Sequence, residues 1–149
     1  MGSINRRNLC LLAGAACLMG SAVAQRDDAA PVSPEDARDM REVIEAQLAA
    51  FAADNAERAF SYASASIREM FGTPEYFMAM VRGGYPVVYR PRTVGFLLPE
   101  TRGSEVVQRV RMTDASGTAW LAIYNMQRQP DRRWLINGCV VTRDSGRSA

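Results

Sequence analysis

The stretch AWLAIYNMQRQPDRRWLINGC, Ala119 to Cys139, decides the architecture. It holds two runs rich in aromatic and β-branched residues, 118–127 and 134–142, separated by Pro130-Asp131-Arg132. A link that short permits only an antiparallel hairpin. In the first run Trp120, Ala122, Tyr124 and Met126 share one face, with Leu121 and Ile123 on the other. In the second, Trp134, Ile136 and Val140 are expected to face one way and Leu135, Cys139 and Val141 the other. Strands apolar on both faces are buried on both faces.

Working outward, two more strand-like runs precede the hairpin, Thr93 to Leu98 and Glu105 to Thr113. Turns at Thr101-Arg102-Gly103 and Asp114-Ala115-Ser116-Gly117 complete a four-stranded antiparallel meander. Before Tyr85 the chain is helical. Ser33 is an N-cap, Pro34 the first helical residue, and Glu35-Asp36 set negative charge in the first turn. Met40, Val43, Ile44, Leu48 and Phe51 then recur as one apolar stripe, so this long helix runs to about Ala53. Asp54-Asn55-Ala56-Glu57 reads as the cap of a second helix. Ser66 to Phe71 gives one more turn closed by Gly72, and Thr73-Pro74-Glu75 opens another helix that ends at Gly83-Gly84. Pro86 and Pro91 are expected to keep the next segment extended. Helices followed by a meander define an α+β class, with the long helix packed on a curved sheet. One helical layer covers one side only, so the other face must meet the short helices or another subunit, and a homodimer through the sheet is expected.

The first 24 residues read as a cleavable signal peptide. Arg6-Arg7 are basic, Leu9 to Gly20 carry no charge, and Ala22-Val23-Ala24 is a cleavage signature. The twin arginines also fit a twin-arginine export signal. The apolar run is too short for a stable membrane span. The expected organisation is signal peptide 1–24, linker 25–32, one domain 33–143 and tail 144–149, in a periplasmic or secreted protein.

The 149 residues contain no histidine, and all 18 basic residues are arginine. This excludes Ser-His-Asp and Cys-His nucleophile pairs, histidine metal sites, Schiff-base lysines and the P-loop lysine. The net charge of +2 comes from the signal. Removing residues 1–24 takes away Arg6, Arg7 and no acid, which leaves a neutral domain and argues against nucleic acid as a partner. Cys10 and Cys17 leave too, so Cys139 stands alone and reads as a small buried hydrophobe.

Glu100, Glu105, Asp114, Asp131 and Asp144 all fall at strand ends or turns, away from a cavity where a general base would work. Binding is therefore expected rather than catalysis, with no cofactor and no metal. The candidate ligand site is the segment from Arg82 through Tyr85, Tyr89 and Arg90 to Arg92, where arginine forks and phenols suit a small anionic ligand or a protein partner. The plain alternative is a stiff connector with solvated arginines. Gln108 lies on a core face with Val106, Val110 and Met112, and with Tyr124 and Trp120 is expected to line a pocket; the plain alternative is an internal hydrogen-bonding or near-edge glutamine with both aromatics in the core.

The stretches FGTPEYFMAMVRGGYPVVYRPRTV (Phe71 to Val94), VVQRV (Val106 to Val110) and the opening hairpin resemble a bacterial family of exported proteins known as domain of unknown function 4864. More loosely, helices followed by a curved meander resemble the nuclear-transport-factor-2-like or SnoaL-like (cystatin-like) cone fold. The resemblance implies a cone in which sheet wraps the long helix, and it assigns no activity. That superfamily holds both binders and enzymes, so the alternatives to binding are a SnoaL-like isomerase or dehydratase and a structural homo-oligomeric subunit.

Overall fold

A computed structural model describes residues 31–146. The expected signal peptide, most of the linker and the end of the tail lie outside the described residues. Five helices come first: α1 (Pro34–Ala52), α2 (Ala56–Ser61), α3 (Ala65–Phe71), α4 (Pro74–Gly84) and α5 (Pro86–Tyr89). Five strands follow: β1 (Thr93–Phe96), β2 (Glu100–Arg102), β3 (Glu105–Thr113), β4 (Ala119–Arg128) and β5 (Trp134–Arg143).

α1 begins as its sequence dictates. The Ser33 hydroxyl accepts from Asp36 N–H at 3.0 Å and donates to the Asp36 carboxylate at 2.9 Å, with Pro34 in the first turn. Its buried stripe of Met40, Ile44, Gln47, Leu48 and Phe51 faces the sheet and the short helices. α3 and α4 likewise start on Ser64 and Thr73 caps. The chain between Tyr85 and Arg90 differs from expectation. Pro86 opens α5 rather than preventing it, because a first-turn position needs no N–H donor.

The sheet is antiparallel and open, in the order β1-β3-β4-β5, with β2 pairing on the same edge of β3 as β1. The four-strand expectation is thus corrected to five. Thr101 and Arg102, read as part of a turn, belong to a strand that pairs Glu100–Arg102 with Glu105–Val107, and the reversal shrinks to Gly103-Ser104, with Gly103 at a φ of 60°. Between β1 and β2 the edge is broken at Leu97–Pro99. Gln108 mends that break: its amide donates to Leu97 O at 2.6 Å and Arg109 O at 3.0 Å. This is why a glutamine, 1% exposed, can sit on an otherwise apolar face.

A β-bulge in β5 corrects the expected face assignment. Asn125 pairs with Gly138 and Met126 with Ile136, which leaves Asn137 as the extra residue. The alternation flips there. Cys139 and Val141 join Tyr124 and Ala122 on the helix side, while Val140, expected beside Trp134 and Ile136, is 57% exposed on the outer face. The bulge is held by α3: Asn137 Oδ1 accepts from Ser64 at 2.7 Å and Ser66 at 2.9 Å. The Ser64 N–H donates to Ile136 O at 2.8 Å, and the Ile136 N–H to Tyr62 O at 2.9 Å. The start of α3 is thereby stitched to the sheet. Among the described residues no helix is long and apolar enough to cross a membrane.

Candidate functional site

Helices and sheet do not close completely. A cavity of about 190 Å³ remains between α1, α3, α4 and the β4–β5 hairpin. Its walls are mainly aromatic and aliphatic: Phe51 from α1, Phe71 from α3, Phe77 and Val81 from α4, Val88 from α5, and Ile136 from β5. Phe71 and Phe77 meet edge-on, centroids 5.4 Å apart at 65°. Met70 also lines the space and is 71% exposed, so the cavity reaches solvent along α3. No lining residue carries a formal charge.

The sheet contributes the polar groups. Tyr124 stands mid-strand in β4, directly opposite Cys139 of β5 across the hairpin. Tyr124 is 1% exposed, and its hydroxyl has no nitrogen or oxygen partner and meets the Cys139 thiol instead. Burial, with Cys139 beside it, holds its phenol well above the ordinary 10, so the hydroxyl stays protonated. Burial likewise pushes the Cys139 thiol up to about 12, partly offset by Tyr124. The thiol is therefore no nucleophile at neutral pH. The bulge creates this pair, because an uninterrupted register from Ile136 would set Gly138, not Cys139, opposite Tyr124. Gln47 of α1 also lines the space, and its amide donates to Ala59 O at 3.1 Å, which ties α1 to α2.

The residues expected to form the site separate into groups. Tyr85 and Tyr124 line the cavity. Gln108 lies outside it and serves the sheet edge. Trp120 also lies outside, its Nε1–H donating to Asp114 at 2.8 Å. Arg82, Tyr89 and Arg90 do converge, on Asp54 of their own chain. Arg82 and Arg90 reach its carboxylate at 3.2 and 3.1 Å, and the Tyr89 hydroxyl donates to the same group. Both guanidinium groups also flank the Tyr89 ring, 5.3 and 4.9 Å from its centroid. The Tyr89 hydrogen bond, aided by the two arginines, holds the Asp54 carboxyl below its ordinary 3.8. Arg92 stands apart and exposed at the entry to β1, its backbone N–H donating to Thr113 O at 2.7 Å.

Asp54 is the functional-looking residue that sequence reasoning misplaced. It was expected to cap α2, but Asn55 does so, accepting from Arg58 N–H at 3.0 Å. Asp54 instead takes a φ of 53°, which aspartate tolerates better than most residues, and turns its carboxylate to α4 and α5. The signal was an acid next to an Asn that could cap alone, but its partners lie 28 to 36 residues away.

An α+β domain with an uncharged cavity between its helices and sheet, open to solvent along α3, is therefore the class of protein at hand. The family model described as "Domain of unknown function (DUF4864)" matches residues 33–149, and the chain belongs to that family. No curated protein and no solved structure matches it.

Proposed function

We propose that this is a non-catalytic, exported binding domain of the nuclear-transport-factor-2-like kind, whose cavity takes a small and mostly apolar molecule. The observation that carries the reading is the cavity of about 190 Å³ with an uncharged lining. Leaving apolar space unfilled costs stability, roughly 24 cal/mol per Å³ in well-studied cavities. An apolar void of about 150 Å³ is already enough to admit benzene. The lining offers no carboxylate to act as a general base, and Tyr124 stays protonated, so binding is favoured over an isomerase or dehydratase. The arginine–tyrosine cluster already holds the Asp54 carboxylate, so an anionic ligand there would have to displace it. Export rests on the leading sequence.

A thermal-shift screen with small neutral aromatic and aliphatic compounds tests the reading. A true ligand at a hundred times its Kd should add about 2.7 kcal/mol of stability. Ile67→Trp, which puts a large ring at a partly exposed lining position on α3, should abolish that gain. A gain that survives Ile67→Trp, or the lack of any stabilising compound, would count against the cavity.

The outer face of the sheet supports a second reading, homodimer assembly. Leu121 and Ile123 lie half-buried there and Val140 is 57% exposed, all outside the core. Pairing two such faces would remove this apolar surface from water. Sedimentation should then show a dimer at micromolar concentration and a monomer for Val140→Glu. A monomer for the unaltered protein would end this reading.

A further inference from the structure

The lining of the cavity decides which part of a ligand belongs inside it. Its buried polar side chains are already matched: the Gln47 amide donates to Ala59 O, and the Tyr124 hydroxyl meets the Cys139 thiol. A polar or charged ligand group placed among them would lose its hydration without gaining a partner, and is excluded. The wall toward solvent is α3, and none of its residues is buried. Ile67, Met70 and Phe71 all line the cavity, at the spacing that sets them on one face of that helix. Ile67 and Phe71 are half-buried and Met70 is 71% exposed, so the apolar lining continues to the surface without a polar barrier. A methionine is flexible enough to turn aside there. Arg68 and Glu69, both exposed, put each sign of charge on the same turn as Met70.

We infer that the cavity is a tail pocket: it takes the hydrocarbon chain of a single-chain amphiphile, which enters past α3 and leaves its polar head in solvent beside Met70. The proposal rests on the cavity-binding reading above and names its ligand class. A chain suits the site because its inner part needs only apolar walls, while methylenes at the opening still exchange water for contact with Met70 and Phe71. The head is not selected by sign, since an acidic and a basic side chain both accompany Met70 on α3. The apolar rim is small. Besides Met70 it holds Tyr76, 62% exposed, whose ring lies 6.0 Å from that of Phe71. Two such side chains are too little apolar surface to hold a bilayer, so the amphiphile is taken free from solution.

Calorimetry on the purified protein, with probes kept below their micelle-forming concentrations, compares 1-butanol, 1-hexanol and 1-octanol, then octyl sulfate and octyltrimethylammonium. Affinity should rise about fourfold per added methylene up to the length that fills the cavity. The octyl probes should bind within about threefold of one another, because each head stays in water. Met70→Arg replaces an exposed side chain and should separate them at low ionic strength. Octyl sulfate should gain about two- to fivefold, octyltrimethylammonium should lose as much, and 1-octanol should fall between. Phosphatidylcholine vesicles should not carry the protein down on centrifugation. Alcohols that bind while both charged probes do not would mean a ligand enclosed whole, which overturns the tail pocket and leaves cavity binding intact. The absence of any gain with chain length overturns it as well. Octyl probes that Met70→Arg fails to separate overturn the entry past α3, and sedimentation with vesicles overturns the free amphiphile. If none of these probes binds, the tail pocket is overturned, and cavity binding falls with it only where the neutral compounds of the thermal-shift screen fail too.

Discussion

Phe51→Ala is expected to lower the unfolding free energy by about 3–5 kcal/mol, toward the upper end of that range. Phe51 closes the last turn of α1 at 1% exposure. Its ring lies 5.9 Å from that of Phe77, which also meets Phe60 at 5.3 Å and Phe71 at 5.4 Å. Removing it takes one spoke from an aromatic hub that joins α1, α2, α3 and α4. The usual relief for such a truncation, collapse of neighbours into the space, is restricted here. α3 is stitched to the bulge through Asn137, and α4 and α5 are tied to the α1–α2 corner through Asp54. Phe51 already lines the cavity, so the new void merges with it. Against a total stability of roughly 5–15 kcal/mol for a domain of this kind, the loss is large. Urea denaturation read by circular dichroism measures it. Phe51→Leu, which keeps most of the volume, should cost clearly less. Benzene should recover part of the alanine variant's loss by occupying the merged space. A loss near 1 kcal/mol for alanine would mean that the helices do close in, and that the tethers are weaker than their geometry suggests.

What could be read beforehand follows how local the physics is. α1 was legible to within a residue at each end because its cap, its proline and its acidic first turn all lie within four positions, and its apolar stripe, Met40 to Phe51, repeats over about three turns. The longer strands were legible from their alternation. β2 was not, because three residues carry no period, and their pairing is set by the hairpin reversal rather than by composition. The bulge at Asn137 was hidden for a different reason. The serines that hold it are 73 and 71 residues earlier, so alternation predicted the wrong face from there onward. At Pro86 the rule that proline interrupts helices applied to the wrong position, since the residue starts a helix instead of lying inside one.

The candidate site was legible by residue type more than by role. Arg82, Tyr89 and Arg90 were rightly read as a set suited to a carboxylate, and the carboxylate turned out to be internal. Tyr85 and Tyr124 were singled out and both line the cavity, yet nothing local distinguishes a strand tyrosine beside a cavity from one in plain core. Phe51, Phe71 and Phe77 each look like ordinary core residues. That they surround a space rather than fill it depends on how three helices and a bulged hairpin meet.

Trp134→Ala should cost about 3–5 kcal/mol, and its comparison with Trp134→Phe separates burial from hydrogen bonding. Trp134 begins β5 at 6% exposure, and its Nε1–H donates to Asp36 of α1 at 3.1 Å, which joins elements 98 residues apart. Arg128 adds a contact at 3.1 Å to the same carboxylate and lies 5.6 Å from the indole centroid. Partial burial pushes the Asp36 carboxyl up, but the Trp134 and Ser33 hydrogen bonds with Arg128 and Arg132 outweigh it, so it lies below its ordinary 3.8. A carboxyl depressed in the folded state contributes stability that is present above the unfolded value and lost as pH falls through the folded one. Phenylalanine at 134 keeps most of the burial and removes one bond to a charged acceptor, worth about 1.5–3 kcal/mol, toward the lower end because the Asp36 side chain retains 19% of its exposure. The cost of Trp134→Phe should therefore be greatest at neutral pH and shrink as pH falls below about 4, where the unfolded chain protonates Asp36 first and the folded protein, which holds it lower, follows. The burial part of the alanine cost should persist in acid. A phenylalanine cost that stays constant from neutral pH to about pH 2 would mean that the indole holds α1 by packing alone.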